Sequence, residues 1–235
     1  MRRIICGLLS IICCVVFAIG AKAAPKVLAD VMLKSGKEYD NVEIKLPKGW
    51  DKNLNIKVEG KKLTFPADSI DRVVFWHVKN PDNKQLLCYH EYAIFNDETD
   101  EYTSPDKKLR KKGLYPSQWF TLHYVGEDVY MWTTFASIKA GDNSVTYSGS
   151  LHSPYFFHKK NGRFFVHIPF NRIRPGMTRN WLIAFFADDE VLSETLKDKK
   201  ELYDRDRKNS MRNGTVYTPY KYEDIADQYK AGRKK

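Results

Sequence analysis

The sequence predicts a mostly β fold: a small N-terminal β-barrel-like unit, a larger antiparallel β region, and two C-terminal helices. Three observations lead there. Short runs rich in branched and aromatic residues alternate apolar and polar at period two, as a strand with one buried face requires. Turn-forming clusters such as Ser35-Gly36-Lys37, Glu59-Gly60 and Asn161-Gly162 separate these runs. Helical spacing appears only after Asp188. The expected divisions are a signal peptide over 1–23, a small β unit over 24–80, an antiparallel β domain over 81–187 and a helical segment over 188–235.

The first stretch stands outside the fold. Arg2 and Arg3 precede the apolar run Ile4 to Gly20, and Ala21-Lys22-Ala23 supplies an A-x-A cleavage site. This pattern reads as a secretory signal, with no stable transmembrane span left after cleavage. Cys6, Cys13 and Cys14 lie in that segment, so Cys88 alone would remain and no internal disulfide would form. The fold must then rest on its core, as in an exported bacterial envelope protein. Removing Arg2, Arg3 and Lys22 lowers the formal net charge from +10 to +7. In an exported protein, this basicity suits a lysine-rich soluble surface, or an anionic glycan or lipid headgroup rather than nucleic acid.

In the N-terminal unit the expected strands are Val27 to Leu33, Tyr39 to Leu46, Leu54 to Val58, Lys62 to Phe65 and Ile70 to Trp76. Five short strands with tight turns suit a small barrel or curled sheet. Val31, Leu33, Gly36 and Tyr39, followed by Asp51-Lys52-Asn53-Leu54-Asn55-Ile56, resemble the strand pattern of Sm-like small barrels. In that family the Asp and Asn region contacts RNA. Here Asn41 stands where the family usually has glycine, a residue type that tolerates positive φ. The spacing from Val42 to Asp51 is longer, and the closing Arg-Gly signature is missing around Ile70 to Val74. The resemblance therefore implies a strand geometry and no nucleic-acid partner. Strands followed by an acid-capped helix also resemble secreted bacterial envelope proteins of unknown function.

The next strand is Leu86 to Phe95, and residues 96–113 form a charged loop. Gln118 to Val125 and Val129 to Ile138 make a hairpin through Gly126-Glu127-Asp128. Ser144 to Ser148 follows the turn at Gly141-Asp142-Asn143. Pro154 to His158 meets Arg163 to Phe170 through Asn161-Gly162, the clearest hairpin signal in the chain. The wholly apolar run Trp181 to Ala187 is expected to be a doubly buried strand. Asp188-Asp189-Glu190 should cap a helix reaching about Tyr203, with Val191, Leu192, Leu196 and Leu202 as its apolar contacts. A second helix should start near Thr218-Pro219 and bury Tyr222, Ile225, Ala226 and Tyr229, leaving Gly232 to Lys235 frayed.

The chemistry is sparse. There is no phosphate loop, no dinucleotide fingerprint and no Gly-x-Ser-x-Gly elbow. Cys88 and His90 would share a strand face, but Cys88 reads as a small core residue. The other histidines show no ligand spacing, and neither a metal nor a cofactor is expected. Two sets remain as candidate ligand-binding residues. Trp119, Tyr130 and Trp132, together with Tyr147, Tyr155, Phe156 and Phe157, could expose a row of rings for stacking on sugars. Arg172, Arg174 and Arg179, expected in one loop, could hold a phosphate or carboxylate. The expected function is an exported, non-catalytic structural or interaction role. Its partner would be another envelope protein or a neutral or anionic glycan. The alternatives are a glycan-binding module proper and a hydrolase with a dispersed site.

Overall fold

The computed structural model describes residues 26–96, 101–103, 116–149, 155–168, 175–198 and 220–235. It contains strands β1 (Val27–Leu33), β2 (Glu38–Lys45), β3 (Asn53–Val58), β4 (Lys61–Pro66), β5 (Ile70–His77) and β6 (Asn80–Asn96). These are followed by β7 (Glu101–Thr103), β8 (Ser117–Val125), β9 (Val129–Ala140), β10 (Val145–Gly149), β11 (Tyr155–Lys159) and β12 (Phe165–His167). Helices α1 (Pro175–Phe185), α2 (Glu190–Asp198) and α3 (Tyr222–Gln228) complete the fold. The twelve strands form one mixed sheet. The expected signal segment, the charged loop from 104 to 113, and Thr218-Pro219 lie outside the described residues.

The first five strands are ordered β5-β1-β2-β3-β4, each neighbouring pair antiparallel. Local chemistry sets their turns. Asn41 has φ 52°, and its amide donates to the Asp30 carboxylate at 2.9 Å. Glu59 and Gly60 both have positive φ, 49° and 83°, between the paired residues Val58 and Lys61. That is the type I′ geometry that matches strand twist, although glutamate is an unusual first residue for it. A short 3-10 turn, Ala67–Ser69, leads from β4 into β5.

The long strand β6 links this unit to the rest. Its first half pairs with β5 and its middle pairs with β8. Pairing then runs β8 to β9, β9 to β11 and β11 to β12, and β12 returns to β6 in parallel. The circuit is closed. An odd number of strands in a ring requires one parallel pair, which corrects the expectation of a wholly antiparallel region. Each of the five strands sends a side chain into one apolar cluster: Cys88 and Tyr92, Phe120, Trp132, Phe156 and Phe165.

The opposite faces of these strands are covered too. Leu87, Trp119, Phe135 and Ile138 pack with the N-terminal unit. Val129, Met131, Phe157, Val166 and Ile168 pack with the helices. One strand such as β9 thus contributes to three clusters, because the period-two alternation is buried on both sides.

Trp181 to Ala187 is not a strand. Its residues through Phe185 belong to α1, so the described C-terminal residues hold three helices where two were expected. Trp181, Leu182, Phe185 and Phe186 are buried, whereas Ile183 and Ala184 are partly exposed, which is helical spacing. A short apolar run does not by itself separate a buried helix from a buried strand. Pro175, at the first helical position, is the signal that separates them here.

The C-terminal tail does not fray. Asp189 caps α2 through Leu192 N–H at 3.0 Å, as its position in the sequence implies. Its carboxylate also accepts from Lys230 N–H and from Arg233 Nε and Nη2 at 2.9, 2.9 and 2.8 Å. Asp188 pairs with Lys159 at 2.6 Å and accepts from the Tyr229 hydroxyl at 2.8 Å. Glu190 pairs with Lys234 at 2.9 Å. The acidic triplet is therefore both a cap and an anchor for the last residues. α3 begins at Tyr222 and buries Tyr222, Ile225 and Ala226.

Candidate functional site

A cleft of about 890 Å³ lies between the N-terminal unit and the β6–β8 ladder. Three loops form one wall. Lys34 follows β1, Trp50 and Lys52 lie between β2 and β3, Pro66 ends β4, and Asp68 lies in the turn into β5. Tyr89, His90 and Glu91 of β6, with Pro116 and Ser117, form the other wall.

Backbone hydrogen bonds fix these loops. Lys34 N–H donates to Ser69 O at 2.9 Å, and Ala67 N–H donates to Lys52 O at 2.8 Å. The Trp50 loop is tied to β8 at two points. Trp119 N–H donates to Gly49 O at 2.7 Å, and Trp119 Nε1 donates to Asp51 O at 2.8 Å. Gly49 lies against the backbone of Phe135 so closely that a Cβ there would collide with the carbonyl oxygen. The loop is thus rigid where it presents its aromatic ring.

Trp50 is 41% exposed, the one large aromatic among the exposed hydrophobic residues described. Lys48 Nζ lies 5.8 Å from its ring centroid. Tyr89 packs edge-on against Trp119 with centroids 5.5 Å apart. Burial raises the Tyr89 hydroxyl above its ordinary pKa; Asp68 and Glu91 add to this, while a hydrogen bond with Ser117 opposes it. The His90 ring stacks on Phe165 at 4.5 Å with 8° between the planes, and its Nδ1 lies 2.8 Å from Glu91 O. His90 thereby joins the cleft to the ring cluster.

The expected aromatic row is not formed as an exposed surface. Trp119 is fully buried and Trp132 is 6% exposed, in different clusters. Tyr130 is half-buried, with its centroid 6.5 Å from that of Trp132. Closure of the strand circuit puts one side of these strands inside, and the N-terminal unit and helices cover the other. Tyr155 is half-buried, Phe156 and Phe157 are buried, and the Tyr147 side chain lies outside the described residues. The three arginines are not one described loop either: Arg179 is in α1, and Arg172 and Arg174 lie outside the described residues.

Cys88 is buried, and desolvation raises its thiol pKa well above the ordinary value, so the nucleophilic thiolate is suppressed. His90 and His158 lie with ring centroids 5.5 Å apart, both against Phe165, and the other described histidines are dispersed. His77 lies 3.2 Å from Gly141 O, His123 pairs with Glu223 at 2.9 Å, and His158 lies 2.9 Å from Gly162 O. Burial lowers the pKa of His167 to about 4, and neither of its ring nitrogens has a hydrogen-bond partner among the described residues. His152 lies outside the described residues. Among the described residues, no group of three or more His, Cys, Asp or Glu side chains is placed to hold a metal, and no helix is long and apolar enough to cross a membrane.

Trp50 escaped the sequence reading because it sits alone in a polar turn. A large aromatic between Gly49 and Asp51, outside any period-two run, was the available signal. No protein-family model matches the chain, and no match was found among curated proteins or solved structures.

Proposed function

We propose that this chain is an exported, non-catalytic binding module of the bacterial cell envelope that holds a glycan in the cleft at Trp50. The observation that carries the reading is a half-exposed indole on a rigid loop, facing a cleft with charged and hydroxyl groups around it. An indole offers an apolar face to the C–H side of a sugar ring, and Lys34, Lys52, Asp68, Glu91 and Ser117 offer hydrogen bonds to its hydroxyls. The five N-terminal strands serve as the scaffold for one wall. In the cleft, burial raises the Tyr89 hydroxyl and keeps it a hydrogen-bond donor, while Cys88 and His167, strongly shifted by burial, lie in the interior outside the lining; this favours binding over catalysis.

The test is titration calorimetry of residues 24–235 with neutral polysaccharides, acidic polysaccharides and peptidoglycan fragments, repeated with Trp50→Ala. Glycan binding that weakens at least ~10-fold in the variant supports the proposal. Binding indifferent to Trp50, or none to any glycan, overturns it. Turnover of a bound glycan would move the assignment to a hydrolase, with Asp68 and Glu91 as the first residues to test.

A further inference from the structure

Four charged groups of both signs, from separate elements, gather around the cleft. Ion pairs are common on this surface, including Lys57 with Glu43, Lys159 with Asp188, Arg233 with Asp189 and Lys234 with Glu190. Lys34, Lys52, Asp68 and Glu91 line one cleft, two of each sign, yet none of the four is in an ion pair among the described residues. Each is carried by a different element, and those elements are held in place by cross-chain backbone hydrogen bonds. Lys34 is fixed to Ser69, Lys52 to Ala67, and Glu91 pairs with Ser117 across the β6–β8 ladder.

A neutral sugar chain seated here would strip water from four charges and leave each of them without an opposite charge. A purely anionic chain would satisfy the lysines and be repelled by the carboxylates, and a cationic one the reverse. A ligand bearing both signs satisfies both sets, and charge-assisted bonds are the stronger kind. Resting on the glycan reading above, we infer that the ligand is zwitterionic: a sugar carrying a short peptide. Its carboxylate is held by Lys34 and Lys52, its free ammonium by Asp68 and Glu91, and its sugar ring by Trp50. The cleft is of the size that takes such a compact glycopeptide rather than a bare monosaccharide.

The test compares two probes on residues 24–235 by calorimetry at about physiological ionic strength. One is a peptidoglycan disaccharide bearing a tetrapeptide with a diamino acid; the other is the same disaccharide without the peptide. The expected result is at least ~10-fold tighter binding of the peptide-bearing probe. Lys34→Gln/Lys52→Gln and Asp68→Asn/Glu91→Gln should each erase that preference, so that the two probes bind alike. All four side chains are exposed, so unchanged melting curves will verify that the variants fold. Equal affinity for the two probes overturns the zwitterion inference and leaves the glycan reading standing. A preference that survives both double substitutions overturns the residue assignment. Binding of neither probe, nor of any glycan, overturns the inference together with the glycan reading.

Discussion

His167 should make this protein sensitive to mild acid. It lies 6% exposed beside Phe156, ring centroids 5.0 Å apart, and burial pushes its pKa down to about 4. An unfolded histidine titrates near 6.5. Between those values the unfolded chain binds the extra proton and the folded chain does not, so stability falls as pH falls. The contribution is fully present above about pH 6.5 and lost by about pH 4. At about 1.4 kcal/mol per pH unit, the loss across that window is about 3 kcal/mol. His167→Phe keeps an aromatic ring against Phe156 and removes the titration. Urea unfolding of residues 24–235, followed by tryptophan fluorescence from pH 4 to 8, measures both proteins. The gap between their stabilities should change by about 3 kcal/mol in favour of the variant at the acid end. Asp188 and Asp189 also have lowered pKa values. For both, burial acts upward and is outweighed, by hydrogen bonds from Lys159 and Tyr229 for Asp188 and from Arg233, Leu192 and Lys230 for Asp189. Their stabilisation is lost at lower pH, as pH falls through the carboxylate range, and it cancels between the two proteins. Parallel stability curves over the whole range would refute the argument.

Two further expectations concern the scaffold. Arg233→Ala leaves the buried Asp189 carboxylate without its two-pronged partner, which should cost about 2 kcal/mol and lower the melting temperature. Hydrogen exchange should show faster opening of the α2 start and the tail, and an unchanged melting curve would mean that the tail does not hold α2. Glu59→Asn should act the other way. With φ at 49° in a two-residue hairpin turn, the position suits asparagine, and a gain of about 0.5–1 kcal/mol in chemical denaturation is expected. A loss there would mean that Glu59 makes a contact that outweighs its backbone strain.

The strands were legible because a half-buried strand writes its alternation into adjacent residues. Val27 to Leu33 shows buried positions at every second residue, as its sequence promised. Strands buried on both faces are harder to read, and α1 shows the cost. Its apolar run fits a buried strand or a buried helix equally, and only the proline before it tips the balance. The tail was misread for a different reason. Gly232-Arg233-Lys234-Lys235 looks solvated by composition, and its partners, Asp189 and Glu190, are more than forty residues away in sequence. Ring closure was equally hidden, since the pairing of Phe165 with Tyr92 crosses over seventy residues.

That closure also relocates the search for a ligand site. Aromatic abundance on hairpins suggested stacking surfaces, but a closed strand circuit has an inside, and rings are the groups that fill it. Six residues, five of them aromatic, make that cluster. With the N-terminal unit and the helices on its outside, little sheet surface around β8 and β9 remains for binding. What stays open is the seam where two units meet on β6, and there Trp119 changes role. Fully buried, it cannot touch a sugar; its indole N–H and its amide instead hold the turn that presents Trp50. The sequence reading thus named a residue one step behind the site, because composition records which residues are aromatic and only the strand pairing decides which of them meets solvent.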